Sequence, residues 1–360
     1  MKRKLLLTII TLFLICFSQV KSQTDSNPTD KYTLLTMPYN KRPLTLYKGQ
    51  FQAYAGYKFA LRSRSFDNNG DAIDLKKDGN SSVLHYYFVE LKYGVLDFLE
   101  LGIETSYMRQ GIRAESTTYM SYVDVLSQSE ITVTNLNEYK GMGDLFLNAS
   151  LRLPFDLKTF DFKLSGGMFL PVAKYKPEIP TSTITDELDA NNYTINYHFN
   201  NRNGFGVPVY LVSAAAKFTF SKFTAEADFT FRDPLKEGTN IRWNQTMINH
   251  SFSYSSSSYR YLPDRAMMIN ASLHYQAAGW FNIYMNGRYF RTSKGWTEYW
   301  GLQFSNPEIQ LLTLEPGYEL QISPSLRLYQ VAGFALAGKN SDAPFFMVTT
   351  LSYNIFPFKK

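Results

Sequence analysis

Residues 209–232, VYLVSAAAKFTFSKFTAEADFTFR, alternate apolar and polar side chains on both sides of Ser221-Lys222. Tyr210, Val212, Ala214, Ala216, Phe218 and Phe220 share one parity, and Phe223, Ala225, Ala227, Phe229 and Phe231 continue it beyond the break. Period two puts successive side chains on opposite faces of a strand, so the stretch predicts a β-hairpin with a two-residue loop. In that register Phe220 faces Phe223, Phe218 faces Ala225 and Ala216 faces Ala227, while Lys217 meets Glu226 on the other side. One face of this hairpin is apolar throughout, and the rest of the chain has to supply its surroundings.

The same pattern recurs along the sequence. Alternating runs are expected at 51–62, 83–93, 98–107, 144–153, 160–170, 266–275, 281–290, 309–322, 326–337 and 345–356, besides the two of the opening hairpin. Each is near the roughly ten residues that carry a tilted strand across a bilayer. The run 83–93 is less clean, because Leu84, Tyr86 and Phe88 occupy its polar parity. The connections alternate between tight turns and long polar stretches, the latter at 63–81, 109–140, 174–204 and 233–264. The last of these contains the Ser/Tyr/Phe-rich 251–261. These features predict an all-β chain: a transmembrane antiparallel up-and-down β-barrel of about twelve strands, with short periplasmic turns and long extracellular loops. No continuous apolar helix follows the first residues, and a closed barrel is the other way to satisfy backbone groups in lipid.

The first residues read as a signal peptide over 1–22: basic Lys2-Arg3-Lys4, an apolar core from Leu5 to Phe17, and cleavage after Ser22. Residues 23–50 are then expected as a periplasmic lead-in and 51–360 as the barrel, in the outer membrane of a Gram-negative bacterium. The single cysteine, Cys16, lies in the leader, so disulfide and thiolate chemistry are not expected of the mature chain. Removing the leader's four basic residues from the net charge of +6 leaves +2, which gives no reason to invoke nucleic acid. The expected partners are outer-membrane lipid, the barrel-assembly machinery and a small solute.

Charges on the polar parity cannot face lipid without a cost of roughly 2–4 kcal/mol for a basic residue at the midplane, so they are assigned to the lumen. The candidates are Lys92, Glu100, Arg152, Asp161, Lys217, Glu226, Asp228, Arg288, Glu319 and Arg327. Folding each hairpin about its turn sets Lys92 opposite Glu100, Arg152 opposite Asp161 and Gln321 opposite Arg327. Together with Lys217 and Glu226 they suggest a paired, charge-balanced constriction near the periplasmic turns. Tyr93, Phe98, Phe155, Phe160, Phe220, Phe223, Trp280, Phe281 and Phe356 gather at the tight-turn ends, as an interfacial aromatic girdle would.

Four motifs carry a resemblance to a family. Pro43-Leu44-Thr45-Leu46-Tyr47-Lys48-Gly49 resembles a P-T-L-x-K-G lead-in. Residues 93–102, YGVLDFLELG, resemble a YG-x-x-D-x-LELG turn. Gly141-Met142-Gly143-Asp144 resembles a GxGD strand opening, and residues 166–171, GGMFLP, a GG-x-x-x-P strand exit. These are similar to outer-membrane transporters named after phenol-degradation (MetA) pathways. The resemblance implies a barrel and a diffusion channel for small molecules, hydrophobic ones among them.

Catalytic candidates are few. His85, His198, His250 and His274 have no metal-binding spacing, so no metal, cofactor or catalytic residue is expected and the chain is read as no enzyme. His274 is assigned as a hydrogen-bonding residue of the lumen wall. Asn249-His250-Ser251 resembles the His-Ser pair of outer-membrane phospholipase, but neighbours in sequence do not make a triad. The functional reading is passive passage of small molecules through a polar, charge-balanced lumen. The alternatives are a structural or adhesive barrel whose loops bind ligands, and an outer-membrane hydrolase.

Overall fold

The computed structural model describes residues 31–76, 81–121, 128–153, 159–173, 182–184, 193–197, 204–248, 251–293, 295–299 and 302–356. The predicted leader, His198, His250 and Phe155 lie outside them. Residues up to Leu35 form a unit of their own, of which residues 31–35, in the helix Lys31–Thr36, are the described part.

Among the described residues, twelve long strands close a barrel. They are β1 (Phe51–Phe66), β2 (Ser81–Leu96), β3 (Leu99–Ser121), β4 (Leu145–Leu153), β5 (Phe160–Leu170), β6 (Val209–Phe220), β7 (Phe223–Pro234), β8 (Arg265–Ala278), β9 (Phe281–Ser293), β10 (Gln310–Gln321), β11 (Leu326–Lys339) and β12 (Ser341–Ile355). Each pairs antiparallel with its neighbours, and β1 pairs with both β2 and β12, which closes the ring of twelve. The opening hairpin has the expected register, with Phe220 opposite Phe223 and Lys217 opposite Glu226. Its turn residue Ser221 sits at a φ of 54°, which a tight two-residue hairpin loop requires.

The alternation sorts the two faces. Val89, Leu101, Leu164, Val212, Phe229, Leu273, Met285 and Leu351 are large, apolar and exposed on the outer parity. So extended an apolar surface is untenable in water and fits lipid. On the inner parity, Ser352 and Asn354 are 0 % exposed, and Glu100, Lys217, His274, Glu319 and Arg327 are buried.

Two register expectations are corrected. Lys92 stands opposite Gly102, and Glu100 opposite Gly94. A bulge between Gly94 and Leu96 lets β2 run on to Leu96, which moves the turn to Asp97-Phe98. Arg152 likewise stands opposite Lys163, two residues from the expected partner.

The loops differ from expectation as well. The stretch expected as a polar loop after Tyr107 continues as strand to Ser121 and pairs with a strand Gln128–Met142. Strands Gly238–Ile248 and Ser251–Leu262 occupy the stretch expected as a Ser/Tyr loop, within a separate five-stranded sheet. An antiparallel hairpin can extend beyond the bilayer wherever its backbone stays paired, and Ser, Thr and Tyr are compatible with that. The final connection on the long-loop side is a tight turn at Asn340, whose φ is 48°.

The apolar inner residues of β2 have a packing role. A Cβ on Gly56 would meet the Phe88 ring at 2.1 Å, and one on Gly333 the Phe346 ring at 2.0 Å. Each ring lies across the space that a neighbouring strand leaves empty. Aromatic side chains thereby fill part of the lumen.

Candidate functional site

The segment after Thr36 crosses the lumen at the tight-turn end. Pro38 and Pro43 bracket it. Pro38 precedes a single 3-10 turn, Tyr39–Lys41, and Arg42, which precedes Pro43, is held extended at φ −72° and ψ 139°. From Pro43 the chain bends at Leu44 and Thr45 and turns before β1, with the Gln50 N–H donating to Tyr47 O at 2.9 Å and Gly49 at a φ of 77°. We call residues 36–50 the strap.

Wall carboxylates hold the strap by its backbone. The N–H of Leu44 donates to Asp161 at 2.7 Å, that of Leu46 to Glu100 at 3.0 Å and that of Lys48 to Asp97 at 2.9 Å. Such charge-assisted bonds contribute about 1.5–3 kcal/mol each. The Gly49 N–H donates to Gly94 O at 2.7 Å, and the Gly94 N–H to Gln50 O at 2.9 Å. A Cβ on Gly94 would stand 2.0 Å from the Tyr47 carbonyl, so the strap lies where only glycine leaves room. Two of the four motifs are thus two sides of one contact.

The other two motifs sit at the opposite end, at and beside the neighbouring strands β4 and β5. Asp144 accepts from the N–H of Phe205 at 2.6 Å and of Ala173 at 3.3 Å. A Cβ on Gly167 would meet the Phe146 ring at 2.6 Å.

Cations hold the carbonyl side of the strap turn. Lys217 Nζ donates to Tyr39 O at 2.8 Å and to Arg42 O at 3.0 Å, lies 3.6 Å from Glu226, and stands 4.3 Å from the Tyr39 ring centroid. Arg42 pairs with Glu319, which also has Arg327 at 3.6 Å. Asn40 Nδ2 reaches Ser221 O at 2.9 Å. Burial, then Glu226, pushes the Tyr39 phenol well above its ordinary range.

Above the strap is a cavity of about 490 Å³. Tyr39, Leu44 and Glu319 line its strap side; Lys163, Ser213, Asp228, Asn270, Asn286, Arg288, Glu315 and Tyr329 are among its walls. Asp228 accepts from Asn270 Nδ2 through both oxygens at 2.9 Å, and Arg288 bonds Asn270 Oδ1 at 2.9 Å and Glu315 at 3.1 Å. These polar groups are tied mainly to one another, which fixes the wall while leaving a wettable surface.

His274 has Tyr39 stacked on it at 4.2 Å and Tyr284 at 4.9 Å. Its Nε2 lies 2.9 Å from Ser272 Oγ and 3.3 Å from the Tyr39 hydroxyl, and its Nδ1 lies 3.1 Å from Asn282 Nδ2. Both ring nitrogens are thus occupied within the wall. The group has the parts of a triad wired as a wall network.

The charged candidates divide accordingly. Arg152 and Asp161 form an ion pair at 2.7 Å diagonally across the ladder, Lys217 and Glu226 pair directly, and Lys92 turns to Glu90 on its own strand at 3.0 Å. Glu100 serves the strap, Asp228 and Arg288 the cavity wall, and Glu319 and Arg327 the Arg42 cluster. Of the aromatic candidates, Tyr93, Phe220, Phe223 and Trp280 are exposed beside the tight turns, Phe220 at 70 %. Phe98, Phe160, Phe281 and Phe356 are half-buried there. Sequence reasoning missed Tyr39 and Arg42, which sit in a short segment without periodicity. The bracketing prolines were the available signal.

No protein-family model matches the sequence, and no curated protein sequence matches it. Solved structures do resemble it. The COG4313 outer membrane channel from Pseudomonas putida F1 aligns with a TM-score of 0.58 at 12 % identity, covering 92 % of this chain and 100 % of that one. The P. putida toluene transporter TodX gives 0.48 at 9 %, covering 91 % and 93 %. The translocator domain of the autotransporter NalP from Neisseria meningitidis gives 0.43 at 8 %, covering 84 % and 88 %. At these identities the first likeness is one of fold. The closed barrel, its apolar exterior and its polar interior define a β-barrel protein of the Gram-negative outer membrane.

Proposed function

We propose that this chain is an outer-membrane channel through which small polar solutes pass passively, closed at its periplasmic end by its own strap. The observation that carries the reading is the cavity against the strap. It is large enough for a small solute, and most side chains facing it are polar or charged.

In this reading a solute enters from the long-loop side, exchanges water for the Asn, Tyr and carboxylate groups of the wall, and stops at Tyr39. Exit requires the strap to move. Its anchors are hydrogen bonds and the Arg42–Glu319 ion pair, which water must replace together as it moves. Once it is displaced, the pairs Arg152–Asp161, Lys217–Glu226 and Arg327–Glu319 surround the opening with balanced charge. Such a ring selects weakly between ions of opposite sign.

Planar-bilayer conductance and liposome swelling with a size series of polar solutes test this. The expected result is low, flickering conductance in the wild type and steady conductance in Arg42→Ala/Lys217→Met. A folded barrel that passes no ion or solute in either form rejects the channel and leaves a filled structural barrel.

A further inference from the structure

One cation of the cavity wall stands outside the wall network. Lys163, on β5, is half-buried and lines the cavity, and among the described residues its ammonium makes no hydrogen bond and no ion pair. The acids of the neighbouring rows are held elsewhere. Asp161 pairs with Arg152 at 2.7 Å, Glu90 with Lys92 at 3.0 Å and Glu226 with Lys217 at 3.6 Å, while Glu100 accepts from the Leu46 N–H at 3.0 Å.

An acid with the complementary deficit lies on the same row. Lys163 stands opposite Ala215 on β6, and Ala215 opposite Asp228 on β7, so the three share one level of the wall. The oxygens of Asp228 accept only from neutral donors, Asn270 Nδ2 at 2.9 Å and the Thr230 hydroxyl. A carboxylate offers about four lone-pair positions, so one remains beside these three bonds. Arg288, two strands further along the row, is committed to Glu315 at 3.1 Å and to Asn270 at 2.9 Å. Between Lys163 and Asp228 the wall contributes only the methyl group of Ala215. With strands about 4.8 Å apart, the two charged residues are rooted about 10 Å apart, and no ion pair closes the gap between them.

The gap selects its occupant by charge. A simple anion drawn to Lys163 is repelled by Asp228, and a simple cation meets the reverse. A neutral molecule leaves both charges without a partner, which is costly away from bulk water. A molecule with an anionic and a cationic group a few ångströms apart answers both. We propose that this part of the cavity binds a small zwitterion of the α-amino-acid type, with its carboxylate on Lys163 and its ammonium on Asp228. Two charge-assisted contacts of about 2.8 Å, added to the ligand's own length, bridge most of the span. The ligand's side chain is left to the open cavity, so the site reads the charged pair and tolerates a range of side chains. The role of this zwitterion as cargo rests on the channel reading above, whereas its binding needs only the cavity.

Saturation-transfer NMR titrations of the detergent-purified full chain with L-alanine, propionate and isopropylamine test the site. L-alanine is expected to bind about ten-fold or more tighter than the other two, each of which lacks one charge-assisted contact. Lys163→Met should weaken L-alanine roughly 10- to 150-fold and strengthen isopropylamine, because the repelling cation is gone. Asp228→Asn should weaken L-alanine to a similar degree and strengthen propionate. A misfolded barrel loses every ligand alike, so opposite changes in two ligands report the site itself. Propionate bound as tightly as L-alanine, or L-alanine binding unchanged in Lys163→Met, overturns the proposal. L-alanine bound by a barrel that conducts nothing upholds the site and rejects the channel. Conductance without L-alanine binding rejects the site and keeps the channel.

Discussion

Lys217 Nζ, on the sixth strand of the barrel, donates to the backbone carbonyl of Tyr39 over 2.8 Å. A side chain of the lumen wall thus holds the main chain of a segment more than 170 residues earlier, and the second bond of the same ammonium, to Arg42 O, fixes both ends of one turn.

Removing that ammonium should free the turn. Lys217→Met deletes both bonds while keeping the stem, a loss of about 2–3 kcal/mol of docking. The undocked population should rise roughly 30- to 150-fold. Single-channel recording checks this as a rise in open probability, with heat-modifiable gel migration confirming that the barrel is intact. Unchanged gating would place the closure elsewhere.

Gly94→Ala acts on the other end of the strap. The added Cβ meets the Tyr47 carbonyl, which is backbone and cannot rotate away. Overpacking of this kind costs about 2 kcal/mol. Limited proteolysis should cut within residues 36–50 of this variant much faster than in the wild type, while the strands stay protected.

The Tyr39 phenol has a pKa raised above its unfolded value near 10, by burial first and then by Glu226. A raised folded pKa means that its share of docking is complete below about pH 10 and is lost as pH climbs beyond it. Conductance should therefore increase above about pH 10, and Tyr39→Phe should abolish that step. An identical alkaline profile in Tyr39→Phe would assign the transition to another group.

Ser272 should resist acylation. Nε2 of His274 is shared between Ser272 Oγ and the Tyr39 hydroxyl. The Ser272 backbone sits in the ladder between Glu226 and Asn286, so its N–H is committed to the sheet. No labelling by a fluorophosphonate probe is expected. Labelling at Ser272, lost in Ser272→Ala, would revive the hydrolase reading.

How far the sequence could be read depended on the range of the interaction. Phe220 opposite Phe223 and Lys217 opposite Glu226 follow from local alternation and a two-residue turn, so they were legible. Lys92 and Arg152 were misplaced by two residues, because one bulge at Gly94 and the length of one turn shift a register without disturbing its period. The Arg152–Asp161 ion pair survives that shift because long side chains reach diagonally along a strand pair. Residues 109–140 and 251–261 looked like loops because they are polar, and polarity does not distinguish a solvated loop from a solvated hairpin.

By itself the sequence determined the barrel: period two, strands of bilayer length and alternating connections leave no other way to shield the backbone in lipid. The tertiary structure alone decided what fills that barrel. Tyr39 and Arg42 have no periodic signal, and the carboxylates that receive the strap come from β3, β5 and the β2–β3 turn. These groups become neighbours only when β1 closes on β12 and brings the wall around the segment that precedes it.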